Sequence, residues 1–346
     1  MTDIACRLHA ARDLRLETLT APQIAPDTAL IRLLRGGICG SDLHYYHNGG
    51  FGPIRVREPI ILGHEAAGVV EAAPEGSGLS VGQLVALSPS RPCGCCKFCR
   101  DGQQRHCLDM RFNGSAMRIP HEQGLFRSRV AHPVAQCLPL PQGVGAGAAA
   151  LAEPLAVCLH AISMAPDLAG RRVLITGAGP IGAICVALAR LRHAAQIIVT
   201  DVHDFTLGIA KRLGADRAAN TARDPAMLGE YATGKGCIDV ALECSANPAA
   251  IAQAIDLLRP QGTLVQVGVG GQVPVPLNLI VAKELRLVGT HRFDREFAEA
   301  VEMIGSGRVD LSPMVTQVIA ARDAIGAFDL AGDRSRAVKV QLDFSA

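Results

Sequence analysis

The sequence predicts an α/β protein of two domains, an irregular β domain and a doubly wound parallel sheet. Three observations carry this expectation. Residues 1–140 are rich in Gly and Pro, with short apolar runs (ALIRLLR, IILGHEAAGVVEA, LVALS) separated by turn signals, a pattern of short strands. From Arg171 onward apolar strand-like runs alternate with helix-like ones, as in βα units that build a parallel sheet. A glycine-rich turn, Gly177-Ala178-Gly179-Pro180-Ile181-Gly182, joins the first of those strands to its helix.

Composition supports two ordered domains. A chain of 346 residues exceeds one ordinary domain. Hydrophobic residues at 49% and a net charge of +2, from 34 Lys+Arg against 32 Asp+Glu, argue against disorder. The same balance argues against a nucleic-acid partner, which calls for a basic excess. Aromatics at 3% with no Trp leave little for base stacking. No apolar run approaches membrane-spanning length, and MTDIACRLHAARDLRLE lacks the apolar stretch of a signal peptide. The expectation is a cytoplasmic protein with no membrane partner.

The elements follow in order. GVGAGAAA (143–150) reads as a linker, and 148–164 as a helix crossing between domains. Then come a strand at 173–176, a helix at 181–193, a strand at 197–200, a helix at 205–213, a strand at 238–244, a helix at 249–258, and strands at 263–269 and 285–289. The tail carries a helix-like FDREFAEAVEMI and a last strand VKVQL, and is expected to fold back onto the first domain. The domains are thus expected at 1–150 with 291–346, and at 151–290.

The glycine turn matches G-x-G-x-x-G in its proper context, after a strand and before a helix. Gly177 permits the tight turn, Gly179 lets a pyrophosphate approach the backbone, and Gly182 lets the helix pack on its strand. Pro180 and Ile181 open the helix, whose N-terminal N–H groups and dipole suit phosphates. Asp201, 24 positions after Gly177, ends the second strand. A carboxylate there accepts from both ribose hydroxyls and repels a 2′-phosphate, so the cofactor is read as NAD. Val267 and Val269 are assigned as further cofactor contacts.

The 12 cysteines are unevenly spread: Cys93, Cys95, Cys96, Cys99 and Cys107 fall within 15 positions. Cys93, Cys96, Cys99 and Cys107 fit C-x2-C-x2-C-x7-C, which can close a tetrahedron around a structural Zn²⁺ in a lobe at 91–109. Cys95 is left over. Three other segments hold a second donor set: Cys39 in Gly36-Gly37-Ile38-Cys39-Gly40-Ser41-Asp42, His64 and Glu65 in Gly63-His64-Glu65, and Glu153 in Ala152-Glu153-Pro154. Thiolate, imidazole and carboxylate together can hold Zn²⁺ with one position open, the arrangement of a catalytic site. Taken singly, each residue also fits an ordinary buried or paired role.

In combination the motifs GGICGSD, GHE-x2-G, the cysteine lobe, AEPLAV, GAGPIG and VTD occur in the order of the zinc-dependent medium-chain dehydrogenase/reductase superfamily, which the chain resembles over essentially its whole length. GGICGSDLHYYHNG, SPSRPCGCCKFC, DMRFNGSAM, GTHRFDREF and AVKVQL are similar to its L-idonate and sorbitol dehydrogenase branch. The resemblance implies a GroES-like β-barrel domain with a Rossmann domain and the active-site cleft between them. It implies Cys39, His64 and Glu153 as catalytic-zinc ligands, with Glu65 adjacent, and Ser41 and His44 as a proton relay. Two positions depart from the pattern: Pro74 stands where Gly or Ala is usual, and the Gly-Asp-x-Val turn reads Gly82-Gln83-Leu84-Val85.

The activity implied is NAD-linked oxidation of a secondary alcohol, L-idonate at C5 giving 5-keto-D-gluconate, or a neutral polyol such as sorbitol or xylitol. An aldonate carboxylate calls for a cation. Arg111, Arg118 and Arg292 are candidates, and Arg292 matches an arginine near the substrate in the polyol branch. A homodimer or homotetramer is also implied. The non-enzyme alternative is a zinc- and dinucleotide-binding redox sensor.

Overall fold

The computed structural model describes residues 3–345, which form two compact units. The first comprises Met1–Ala156, Asp294–Asp333 and Lys339–Ala346, the second Val157–Phe293 and Arg334–Val338.

In the first unit a seven-stranded sheet runs in the order Cys137–Pro139, Leu84–Leu87, Glu65–Ala72, Thr28–Gly37, Lys339–Asp343, Val315–Ala320, with Arg129–Pro133 also pairing Thr28–Gly37. A smaller sheet holds Asp13–Leu19, Asp3–Ala10 and Ile60–Ile61. Strand Thr28–Gly37 alternates, turning Ala29, Ile31 and Leu33 into a core with Ala66, Val70, Val85, Leu87 and Leu125. That is the period-2 pattern of a strand with one buried face.

Two registers of this sheet bring distant segments together. Gly37 pairs with Glu65 and Gly36 with Ala66, so the chain leaving one strand at Ile38-Cys39 passes the start of the next at His64. Gln341 pairs with Gly37, and Ile38 N donates to Val340 O at 3.0 Å, bringing Lys339 alongside the same turn. Gly37 has to lack a side chain there, because a Cβ would run into the Glu65 carboxylate.

The second unit is a six-stranded, all-parallel sheet in the order Arg217–Asn220, Gln196–Asp201, Arg172–Thr176, Ile238–Glu243, Leu258–Gln266, Arg286–Gly289. Chain order reverses between Arg172–Thr176 and Ile238–Glu243, the switch point where such sheets take ligands. Val173–Ile175, Ile197–Val199 and Val240–Leu242 are fully buried runs without alternation, as expected of strands covered on both faces. Helix Pro180–Leu191 buries Gly182 through Ala189 against them. Helix Pro248–Leu257 starts with Asn247 accepting from Ala249 N and Ala250 N and Pro248 in its first turn, an N-terminus of standard chemistry.

Three sequence expectations need correction. GVGAGAAA is not a free linker: Ala146–Ala149 is a short helix in the first unit, with Ala149 and Ala150 buried and Gly147 O accepting from Gln341 Nε2 at 2.8 Å. The helix expected at 148–164 is therefore interrupted, and the longer one is Ala152–Ser163. The strand expected at 263–269 begins at Leu258 and ends at Gln266, leaving Val267, Gly268 and Val269 in the loop beyond it. Small-residue composition suits a linker and a close-packed helix equally, so only packing distinguishes them. The unusual Gln83 fits its turn, since its Oε1 accepts from Ser80 N at 3.1 Å.

Candidate metal centre and dinucleotide site

Cys39, His64 and Glu65 converge, with one donor atom of each within 4.8 Å of the others. Cys39 sits at the N-cap of helix Gly40–Asn48. Asp42, fully buried, accepts from Cys39 N at 3.1 Å and from Gly63 N at 3.2 Å, clamping the thiol's turn to the imidazole's. Its Oδ1 also stands 3.7 Å from His64 Nδ1. A carboxylate behind a ligand imidazole fixes ring orientation and tautomer. Phe112 packs on the His64 ring with centroids 5.7 Å apart.

Glu65 is engaged differently. Lys339 Nζ donates to both of its oxygens, at 2.8 and 2.7 Å, and to Ile38 O at 3.1 Å. Glu153, in the first turn of helix Ala152–Ser163, is buried within the electrostatic reach of His64 and Glu65. Burial pushes its carboxyl up to about 7, opposed chiefly by His64. Burial works against charge on His64, but Asp42, Cys39 and Glu153 outweigh it and hold the imidazole well above its ordinary value. The site thus carries more negative charge than its side chains balance, which fits a divalent cation. Its soft and hard donors fit zinc.

Ser41 and His44 lie three positions apart on helix Gly40–Asn48, with His44 exposed and its ring against Phe51. Asp42 and Lys339 are the residues that sequence reasoning missed here. Asp42 stood inside a quoted motif, where its acidic character next to Cys39 was the available signal. Lys339 offered none beyond a charge in an apolar strand.

The sulfurs of Cys93, Cys96, Cys99 and Cys107 also lie within 4.8 Å of one another. Cys93 and Cys99 are 3.9 Å apart, Cys96 and Cys99 3.6 Å. Sulfurs at zinc-bond length on a tetrahedron stand about 3.8 Å apart, so the lobe is shaped for the ion. N–H groups of Cys95 and Cys96 point at the Cys93 sulfur and hold its thiol down to about 6, and Leu108 N–H lowers Cys96 in the same way. Cys95 is exposed and stays outside the four, though its Sγ is 3.7 Å from that of Cys93.

In the second unit Gly177, at φ +84°, turns the chain from its strand into helix Pro180–Leu191, with Gly179 at the N-cap and Pro180 and Ile181 in the first turn. A Cβ at Gly182 would run into the Gly177 carbonyl oxygen, so the glycine is needed for helix and turn to pack. Asp201 faces this turn: it accepts from Ala178 N at 2.7 Å and from Val202 N and His203 N at 2.7 and 3.0 Å. Val267 and Val269 line a groove of about 510 Å³ with Ala246, Gln266, Gly268 and Thr290.

The arginines expected near substrate divide. Arg111 pairs with Glu122 at 3.3 Å and Arg118 with Asp109, so both already have a carboxylate. Arg292 lies in the second unit at φ +53°.

Comparison with known proteins agrees with this chemistry. Residues 25–142 match the alcohol dehydrogenase GroES-like domain and residues 180–306 the zinc-binding dehydrogenase family. An Escherichia coli protein described as L-idonate 5-dehydrogenase (NAD(P)(+)) is 40% identical over 91% of this chain and 91% of its own. A sorbitol dehydrogenase of Bacillus subtilis is 36% identical over 90% and 88%. The crystal structure of L-idonate 5-dehydrogenase from Escherichia coli superposes with a TM-score of 0.93 at 36% identity, covering 99% of this chain and 98% of that one.

Proposed function

This chain belongs to the zinc-binding dehydrogenases and is an oxidoreductase, and we propose that within that family it oxidises a secondary alcohol of a sugar acid or polyol, with L-idonate as preferred substrate and NAD as acceptor. The convergence of Cys39, His64 and Glu65 is the observation that carries the reading. It supports a catalytic zinc held by Cys39, His64 and Glu153, with Glu65 kept beside it by Lys339, and a structural zinc held by Cys93, Cys96, Cys99 and Cys107.

Zinc, when bound, supplies a Lewis acid that stabilises developing negative charge on the alcohol oxygen. The chain's residues do the rest. Asp42 keeps the His64 ring oriented, Ser41 accepts the hydroxyl proton, and His44, on the exposed face of the same helix, passes it to solvent. Gly177, Gly179, Pro180, Ile181 and Gly182 seat the pyrophosphate, and Val267 and Val269 border the cofactor. Asp201, held against the glycine turn, receives the ribose hydroxyls and disfavours a 2′-phosphate. The relative's name includes NADP, so cofactor choice is a direct test of Asp201.

Arg292 is proposed to meet the carboxylate of an aldonate, because Arg111 and Arg118 are already paired. The second reading, a neutral polyol such as sorbitol, draws on the sorbitol dehydrogenase relative. Turnover of L-idonate, sorbitol and xylitol with NAD and NADP decides. Idonate with NAD should give the highest kcat/KM. A far higher value for sorbitol, or strong NADP preference, overturns the assignment. Loss of turnover on chelation and its return with zinc distinguishes the enzyme from a redox sensor.

A homo-oligomer is part of the proposal. Strand Arg286–Gly289 is an open edge of the parallel sheet, and Val269, Leu277, Val281 and Leu287 are exposed around it. An unpaired edge with apolar neighbours suits a second copy of the chain. The site of action is proposed to be the cytoplasm. No helix of the described residues is long and apolar enough to cross a membrane.

A further inference from the structure

Glu243 ends strand Ile238–Glu243 beside the switch point and is fully buried. Its Oε1 accepts from Thr176 Oγ1 at 3.0 Å, from Ser245 N at 2.9 Å, from Ala246 N at 3.1 Å and, closer still, from Ser245 Oγ. Its Oε2 accepts from Ala246 N at 2.9 Å and from Gln266 Nε2 at 2.6 Å. Its backbone oxygen accepts from Val267 N and Gly268 N, each at 2.8 Å. Gln266 Nε2 reaches on to Gly268 O at 2.9 Å.

These donors come from the ends of three neighbouring strands. Thr176 immediately precedes the glycine turn. Ser245 packs on that turn, since a Cβ at Gly177 would stand 3.1 Å from Ser245 Cα. Ala246, Gln266, Val267 and Gly268 line the groove at the next strand end. One side chain therefore ties the glycine turn, the 245–246 loop and the 266–268 loop together.

We propose that Glu243 is a positioning residue for the dinucleotide, holding these three loops as one floor beneath it. The inference rests on the reading of the second unit as the nucleotide-binding domain. Its chemistry is specific, because every group facing the two oxygens is a donor. An amide in place of the carboxylate sets N–H against N–H or O–H whichever way it turns. The loops must then shift, and they shift where the cofactor lies.

The test is Glu243→Gln in the zinc-loaded protein. NADH and NADPH binding is followed by nucleotide fluorescence, alongside zinc content and thermal melting. The dissociation constant for the preferred nucleotide should rise about ten- to a hundredfold while zinc content stays at the wild-type level. A lowered melting temperature with nucleotide affinity within twofold of wild type would mark the residue as purely structural and overturn the proposal. If Glu243→Gln does not fold, Thr176→Val and Gln266→Leu each remove one donor. Severalfold weaker binding in both supports the role, and unchanged binding in both overturns it. Wild-type protein that binds neither nucleotide overturns the nucleotide reading, and this role with it.

Discussion

Lys339 and Glu65, 274 positions apart, form a fully buried ion pair in which Nζ contacts both carboxylate oxygens. Removing one partner of such a pair strands a charge, whereas removing both does not. Lys339→Met should therefore destabilise the first unit by about 3–5 kcal/mol in urea unfolding. The double variant Lys339→Met, Glu65→Gln should recover part of that loss. Additive losses would show that the two groups act independently.

Asp42 touches no substrate in the proposed reaction, yet it joins the turns of Cys39 and His64. Asp42→Asn keeps the shape and removes the charge behind the imidazole. Zinc affinity or kcat/KM should fall about 10- to 100-fold, read by chelator competition and steady-state kinetics. An unchanged zinc affinity together with unchanged kinetics would remove Asp42 from the site.

The cysteine lobe makes a contrast between neighbours. Cys96→Ser should cost one zinc equivalent per chain, measured by elemental analysis, and lower the melting temperature. Cys95→Ser should keep both equivalents, because its thiol lies outside the tetrahedral set. The reverse pattern would reassign the ligands.

His132 gives a pH signature. Burial drives its imidazole down to about 4 from an ordinary 6.5, while a ring nitrogen lies 3.0 Å from Ser88 O. The folded-state value is depressed, so between pH 6.5 and 4 the unfolded chain takes up a proton that the folded chain refuses. Stability is present in full above that window and is lost as pH falls through it, by on the order of 3 kcal/mol. Urea midpoints over this range should fall less steeply for His132→Gln than for the parent chain. Parallel slopes would exclude the residue as a source of acid sensitivity.

The open edge at Arg286–Gly289 predicts assembly. Leu287→Arg places a charge among exposed apolar side chains beside unpaired backbone groups. Light scattering should show the parent chain as a dimer or tetramer and the variant shifted toward monomer. A monomeric parent chain would remove this part of the proposal.

The sequence by itself determined whatever depends on neighbours along the chain. Gly177 to Gly182 and Asp201 were legible because tight turn, helix start and strand end follow one another locally. Cys93, Cys96, Cys99 and Cys107 were legible because one loop supplies the whole metal shell. Sheet register decided the rest. Pairing of Gly37 with both Glu65 and Gln341 brings Cys39, His64 and Lys339 to one place, and a strand's composition carries no label for its partner. Packing likewise turned GVGAGAAA into a helix and gave Glu243 its donors from three strands. Contacts between distant residues arise only once the sheet has chosen its neighbours, so periodicity could announce these strands but not what would meet at their ends.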